Sequence, residues 1–337
     1  MAPNIIAGNL LANGLRNDFV DTYTAIRNRQ ADGRLAQVMD LNVKATNRQH
    51  EFAYIEASPH VTLWRRGDPI PQDAMGSVQF TAVVHEFGRR VAWSKWDRAD
   101  DQTQSLYDAA RQCGESAGLL PERFFFDLIN GGGGGGAANT LPFVPNAPDG
   151  AVFFATTAGG AARFGATGGN LLTGSGVASI SAIQTDYYSA IQQFMLFQDG
   201  KGQPLLSPET IAAGAIVIYG AANVKIMEEA FIQKLQGRVL GTDAGTTPSN
   251  VVLDASRNID LWPTPRITNN DIYVFLKNPP KKPTFLLERE ALKEFTSLET
   301  DNNSDLTRST AEEYIQWEIR EGAGIALPFG AICINNA

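Results

Sequence analysis

The chain has 337 residues, 43% of them hydrophobic and 19% charged, with a formal net charge of −8. This composition excludes a disordered acidic tail, and the acidic balance argues against a reader of nucleic-acid sequence, which presents a clustered basic face. A protein that merely encloses nucleic acid is not excluded.

The N-terminal "MAPNIIAGNLLANGLRNDF" lacks a basic stretch ahead of its apolar residues and does not read as a secretory signal. No apolar run reaches the roughly 20 residues that span a bilayer, so a soluble product made in a cytoplasm is expected. A modest amphipathic stretch runs from Leu10 to Ile26 and thins into "RNRQADGRLAQVMDLNVKATNRQ". Six basic residues stand against four acidic ones over residues 1–50. A solvated, extended, mildly basic arm is expected there.

"HEFAYIEASPHV" and "TAVVHEFGRRVAWSKW" then flank the charged, Pro-broken "TLWRRGDPIPQDAMGSVQF". Val61, Leu63, Val78, Phe80, Ala82 and Val84 alternate with polar residues at the period of a strand. Pro69 and Pro71, with Gly67 and Gly76, mark a tip, since Pro cannot donate to a ladder. Arms of about ten residues reach roughly 30 Å at about 3.3 Å per residue. Such a ribbon is marginal alone in water and needs a surface, which another molecule can supply. Arg65 and Arg66 offer charge-assisted contacts to a neighbour's carboxylates; "RGD" at residues 66–68 is too short to imply adhesion.

"DDQTQSLYDAARQCGESAGLL" places Leu106, Ala109, Ala110, Cys113 and Ala117 on one helical stripe, capped by Asp100 and Asp101. The small residues are expected to admit a sheet at close range. A second helix starts at Pro121 and carries Phe124, Phe125, Leu128 and Ile129. "NGGGGGGAANTLPFVPNAPDG" follows, and loop-like sequence recurs to Gly176. No Lys-Ser or Lys-Thr closes the glycine run, so it is not a phosphate loop, and a flexible surface connection is expected. Residues 179–199 read as a helix with Ile180, Ile183, Tyr187, Ile191 and Met195 in register. "AIVIYG" is a buried strand leading into a helix with Val224, Met227, Phe231 and Leu235 on its seam. "RVLGTDAGTTPSNVVLD" reads as strand, loop, strand. "DIYVFL" is another buried strand, ended by "KNPPKKP". "EEYIQWEIREGAGIALPFGAICIN" sets Ile315, Trp317 and Ile319 on one face, with a Gly-Ala-Gly turn before the last strand. The whole is α+β without an internal repeat.

Chemistry is not indicated anywhere. His50, His60 and His85 form no metal-ligand spacing, Cys113 and Cys333 lack a CxxC, and no G-x-S-x-G elbow occurs. Glu228-Glu229 and Glu312-Glu313 are sequence neighbours whose side chains diverge. "WSKWDR" could stack bases, but hinge packing suits it better in an acidic chain. No catalytic residue, cofactor or metal is expected.

The order of these parts resembles the tailed-bacteriophage major capsid proteins of the Hong Kong 97 fold, and is most similar to the major head subunit of Mu-like phages. "VAWSKWDRADDQTQSLYDAARQCGESAGLLPERFFFDLING" looks like that family's hairpin exit, helix start and following short helix. "PDGAVFF", "GAIVIYGAANVKIMEEAF" and "IQWEIREGAGIALPFGAICI" look like its later elements. The resemblance covers most of the chain from about residue 50 and departs at "GGGGGG".

It implies an N-terminal arm (1–50), an extended β-hairpin E-loop (51–97) and a peripheral domain with a long spine helix (98–150). A Gly-rich connection (151–178), an axial domain (179–274) and closing peripheral strands (275–337) complete the chain. By the same resemblance Trp64, Arg65, Arg66, Asp68, Pro69, Gln72 and Asp73 touch a neighbouring subunit. The partners implied are copies of the chain in pentamers and hexamers, a separate scaffold or protease, a portal and a decoration protein. The shell would enclose double-stranded DNA without sequence-specific binding and without a membrane, in a virion assembled from protein made in the host cytoplasm. Some family members crosslink through an E-loop lysine. None lies between Lys44 and Lys95, so a non-crosslinked shell is expected. The alternatives are an encapsulin-like nanocompartment shell, an enzyme with a Gly-rich lid, and a tail-tube protein.

Overall fold

The structure, a computed structural model, describes residues 4–55, 77–94, 105–132, 145–231, 258–297 and 312–336. Its first element is helix α1, Asn4–Ala31, and not the extended arm expected from sequence. Leu15, Phe19 and Ile26 fall on one stripe and are buried, so the segment gains its helix by docking. Gly33 separates it from the short helix α2, Arg34–Val38, which buries Leu35 and Val38.

Strand β1, Met39–Lys44, follows and is the edge of a four-stranded sheet. It pairs in parallel with β11 (Thr284–Ser297); β12 (Glu312–Ile325) and β4 (His85–Ser94) complete the sheet in antiparallel fashion. Strands β2 (Gln49–Ile55) and β3 (Ser77–Val83) form a separate two-stranded ribbon.

Helix α3, Ser105–Gly118, lies against α1. A Cβ on Gly114 would sit 2.6 Å from the Phe19 carbonyl oxygen, and one on Gly118 would sit 2.9 Å from Ile26 Cβ. Gly114 and Gly118 therefore admit α1 at close range, while Ala110, Cys113 and Ala117 of the predicted stripe pack with Trp93 and Trp317 of the sheet, as expected. Asp100 and Asp101 lie outside the described residues. Helix α4, Leu120–Gly131, carries Pro121 in its first turn and buries Phe124, Phe125, Leu128 and Ile129, as the sequence pattern indicates.

The five-stranded sheet has the order β7-β13-β10-β8-β9: Leu171–Thr173, Ala331–Asn335, Ile272–Leu276, Ala215–Gly220 and Ile259–Thr264. Alternate residues of its three central strands enter two different cores. Ile216, Ile218, Tyr273, Phe275, Ala331 and Cys333 face α4 and the other sheet. Val217, Tyr219, Val274, Leu276, Ile332 and Ile334 face helix α5, Ile180–Leu196. Burial on both faces is why "AIVIYG" and "IYVFL" are continuous apolar runs with no polar alternation. β13, grouped by sequence with the closing peripheral strands, lies inside this sheet between β7 and β10.

Several finer expectations are corrected. Met195 is 56% exposed, and Phe194 takes the buried position in α5. Gly322 and Gly324 make no turn; both lie within β12, where a Cβ would collide with the Val83 carbonyl oxygen and the Phe285 ring respectively. The turn before β13 is the short 3-10 helix Pro328–Gly330. Helix α7, Val224–Phe231, buries Met227 and Phe231; Leu235 and "RVLGTDAGTTPSNVVLD" lie outside the described residues. (Helix α6 is the short Pro208–Ala212.)

The Gly-rich connection is also not a loose surface loop where it is described, from residue 145 onward. It carries the short hairpin β5–β6 (Thr157–Ala158 and Ala161–Ala162) and buries Phe153 and Phe154 completely. Arg163, 1% exposed, donates to both Asp149 carboxylate oxygens (Nε 2.7 Å, Nη2 3.0 Å). Its Nη1 donates to the carbonyls of Val152 and Phe153 and to Asn170 Oδ1. Asn170 in turn donates to the carbonyls of Phe153 and Ala331. A buried guanidinium with all its partners met fixes a stretch too rich in glycine to fix itself.

Candidate assembly surface

The ribbon leaves the four-stranded sheet at Val84, whose N–H donates to the Arg48 carbonyl at 2.9 Å. Phe52 and Phe80 face each other across the two strands with ring centroids 5.1 Å apart. Both reach Phe285 of β11, at 4.7 and 6.2 Å. Gly324 leaves room for the Phe285 ring, and Ala82, Val84 and Leu287 close the cluster. The rest is different. Glu51, Ala53, Gln79 and Thr81 are exposed, and beyond Phe52 and Phe80 no described ribbon side chain toward the tip enters a core. The sequence expectation placed its contact residues in the connection between Ile55 and Ser77. Trp64, Arg65, Arg66, Asp68, Pro69, Gln72 and Asp73, with Val61 and Leu63, lie outside the described residues.

Two charged arrangements on the adjoining sheet escaped the sequence. On its polar face Arg320 bridges Glu86 of β4 at 3.0 Å and Glu290 of β11 at 2.9 Å. The Lys293 hydrogen bond, with the Arg320 charge, holds the Glu290 carboxyl below its ordinary pKa. Arg90 stacks over the Tyr314 ring at 4.2 Å and donates to Gln316 Oε1. The Arg320 and Arg90 pairs join residues distant in the chain, so only strand register could have revealed them.

The second arrangement crosses the sheet. Lys44, Glu288, Glu321 and His85 are successive register partners on its four strands. Lys44 pairs with Glu288 at 2.7 Å, whereas Glu321, 1% exposed, receives Arg27 of α1. Burial pushes the Glu321 carboxyl above its ordinary pKa; Arg27 opposes that and Glu288 adds to it. His85 is lowered by burial and by the charge of Arg48.

Among the described residues no cluster of three metal-ligating side chains occurs, and no helix is long and apolar enough to cross a membrane. Cys333 is buried in the core, which raises its thiol pKa well above the ordinary value. Nothing described assembles a nucleophile with a base. What the arrangement offers is surface: a ribbon anchored at one end and a polar sheet face beside it.

No protein-family description matches the sequence, and no curated protein is similar to it. Solved structures are. The capsid of the cyanophage P-SCSP1u superposes with a TM-score of 0.58 at 12% identity, covering 90% of this chain and 88% of that one. The capsid of a native GTA particle gives 0.56 at 10% identity, over 90% and 89%. The mature capsid of bacteriophage PhiM1 gives 0.54 at 10%, over 90% and 87%. The chain has the mixed α and β fold of these capsid subunits.

Proposed function

We propose that this chain is the major head protein of a tailed bacteriophage, a structural and non-enzymatic subunit that builds an icosahedral shell around double-stranded DNA. The single observation that carries the reading is the fold shared with phage capsid subunits over about nine-tenths of the chain. The order of sequence motifs supports the finer assignment to the Mu-like head subunits. The ribbon, whose described side chains join a core at Phe52, Phe80 and Ala82 near its base, supports an E-loop that finds its remaining cover on a neighbour.

In this reading copies gather into pentamers and hexamers. The ribbon tip, Trp64 to Asp73, lies over an adjacent subunit, and Arg65 and Arg66 meet its carboxylates. The central sheet with α5 serves as the axial domain, and α3 with the four-stranded sheet as the peripheral one. Absence of lysine from the ribbon argues for noncovalent joints. Obligate interfaces commonly bury about 2,000 Å² or more, so area and polar contacts suffice without crosslinks. A scaffold or protease, a portal and a decoration protein are the assembly partners, and the DNA is held without sequence-specific contacts. The mature location is the virion.

Negative-stain imaging of the expressed full chain tests this: closed polyhedra are expected, while open tubes or dispersed monomers overturn it. Particles boiled in detergent should run as one monomer band; a ladder of oligomers would refute noncovalent joints. Cargo enzyme in place of nucleic acid inside particles recovered from infected cells would favour a nanocompartment.

A further inference from the structure

The seam beneath α1 is poorly satisfied for a buried interface. Among the helix's described side chains, Leu15, Phe19 and Ile26 are the buried hydrophobic residues. Phe19 stacks on Trp317 at 4.1 Å, and Gly114 and Gly118 let the helix backbones approach. Against these stand buried polar atoms without a hydrogen-bond partner: Arg27 Nε, both amide atoms of Gln30, Trp317 Nε1 and Glu321 Oε2, with Gln37 Oε1 just past the hinge at Gly33. To order of magnitude, each such orphan costs what one buried apolar side chain contributes. Around Arg163, by contrast, a buried charge is fully met. Ion pairs that tie the helix down include Arg27 to Glu321 and Asp18 to the exposed Arg111 at 3.1 Å.

We propose that α1 is a releasable strap: it docks on its own subunit through a frustrated seam and opens as one unit about Gly33 while both sheets stay folded. Opening uncovers Trp317 and the small-residue face of α3, a surface shaped to a helix. An element of this kind lets one subunit hold two arrangements with little cost between them. The inference stands apart from the shell reading, since it concerns the single chain.

Hydrogen–deuterium exchange of the full chain at low concentration tests it. Amides of α1 should exchange together, about a hundredfold or more faster than those of β8 and β10. Gln30→Leu, which removes two orphans and adds apolar surface, should slow α1 about tenfold and leave β10 unchanged. Trp317→Phe, which keeps the ring against Phe19 and removes the orphan Nε1, should act in the same direction if the first variant folds poorly. Protection of α1 equal to that of β10 overturns the proposal. Fast exchange of α1 that neither variant slows overturns it too, because the frustrated seam would then not be the cause.

Discussion

Two buried charges carry opposite lessons at the scale of the residue. Arg163 has every partner it needs, and removing it takes the two-pronged partner from the part-buried Asp149 carboxylate and a donor from each of the Val152 and Phe153 carbonyls. Arg163→Ala should cost about 3 kcal/mol or more, read as a drop in the urea midpoint at unchanged slope. Glu321 is instead ionisable in a place that disfavours its charge. Its pKa is raised by burial, so the group favours the folded subunit most below its unfolded value of about 4.3, and that contribution is lost as pH rises through the folded value. The stability of the parent relative to Glu321→Gln should therefore fall from about pH 4 upward and then level off. A difference that grows with pH would show that Arg27 outweighs desolvation. Neither residue stands out in the sequence, because a lone Arg in "GGAARFGATGG" and one Glu among many on β12 carry no pattern of their own. Arg163 was at most signalled by being the sole cation between Arg123 and Lys201.

Legibility was better for elements than for residues, and it followed burial. Strands covered on both faces, "AIVIYG" and "DIYVFL", were readable because nothing but the core sets their composition, as was α4 with its phenylalanines. Elements whose fate depends on a distant partner were misread. α1 reads as an amphipathic stretch thinning into a solvated arm, whereas its described side chains Leu15, Phe19 and Ile26 are buried against α3 and Trp317, far along the chain. Gly322 and Gly324 looked like a turn because glycine in a strand is justified only by what presses on it, here Val83 and Phe285. Two substitutions check these contacts. Gly114→Ala places a methyl against the Phe19 carbonyl and should destabilise by about 1–3 kcal/mol through displacement of α1, seen as a lower Tm. Phe285→Ala removes the floor under Phe52 and Phe80. It should cost about 3 kcal/mol or more and abolish amide protection in β2 and β3 before β10 is affected.

At the scale of the whole molecule, the ribbon separates folding from assembly. Replacing residues 57–75 by an Asn-Gly turn keeps the Phe52–Phe80 base and closes the hairpin with a favoured two-residue loop. The shortened chain should melt within a few degrees of the parent yet form no closed particles under the electron microscope. Particles of normal appearance would remove the E-loop role. The seat of β13 has a further bearing on synthesis. A nascent chain stopped anywhere before Ala331 has β7 and β10 with no strand to join them, and Ile332 and Ile334 are missing from one core as Ala331 and Cys333 are from the other. Neither apolar layer can close until those residues have left the ribosome, so prematurely terminated products never attain the shape that a lattice of copies would accept.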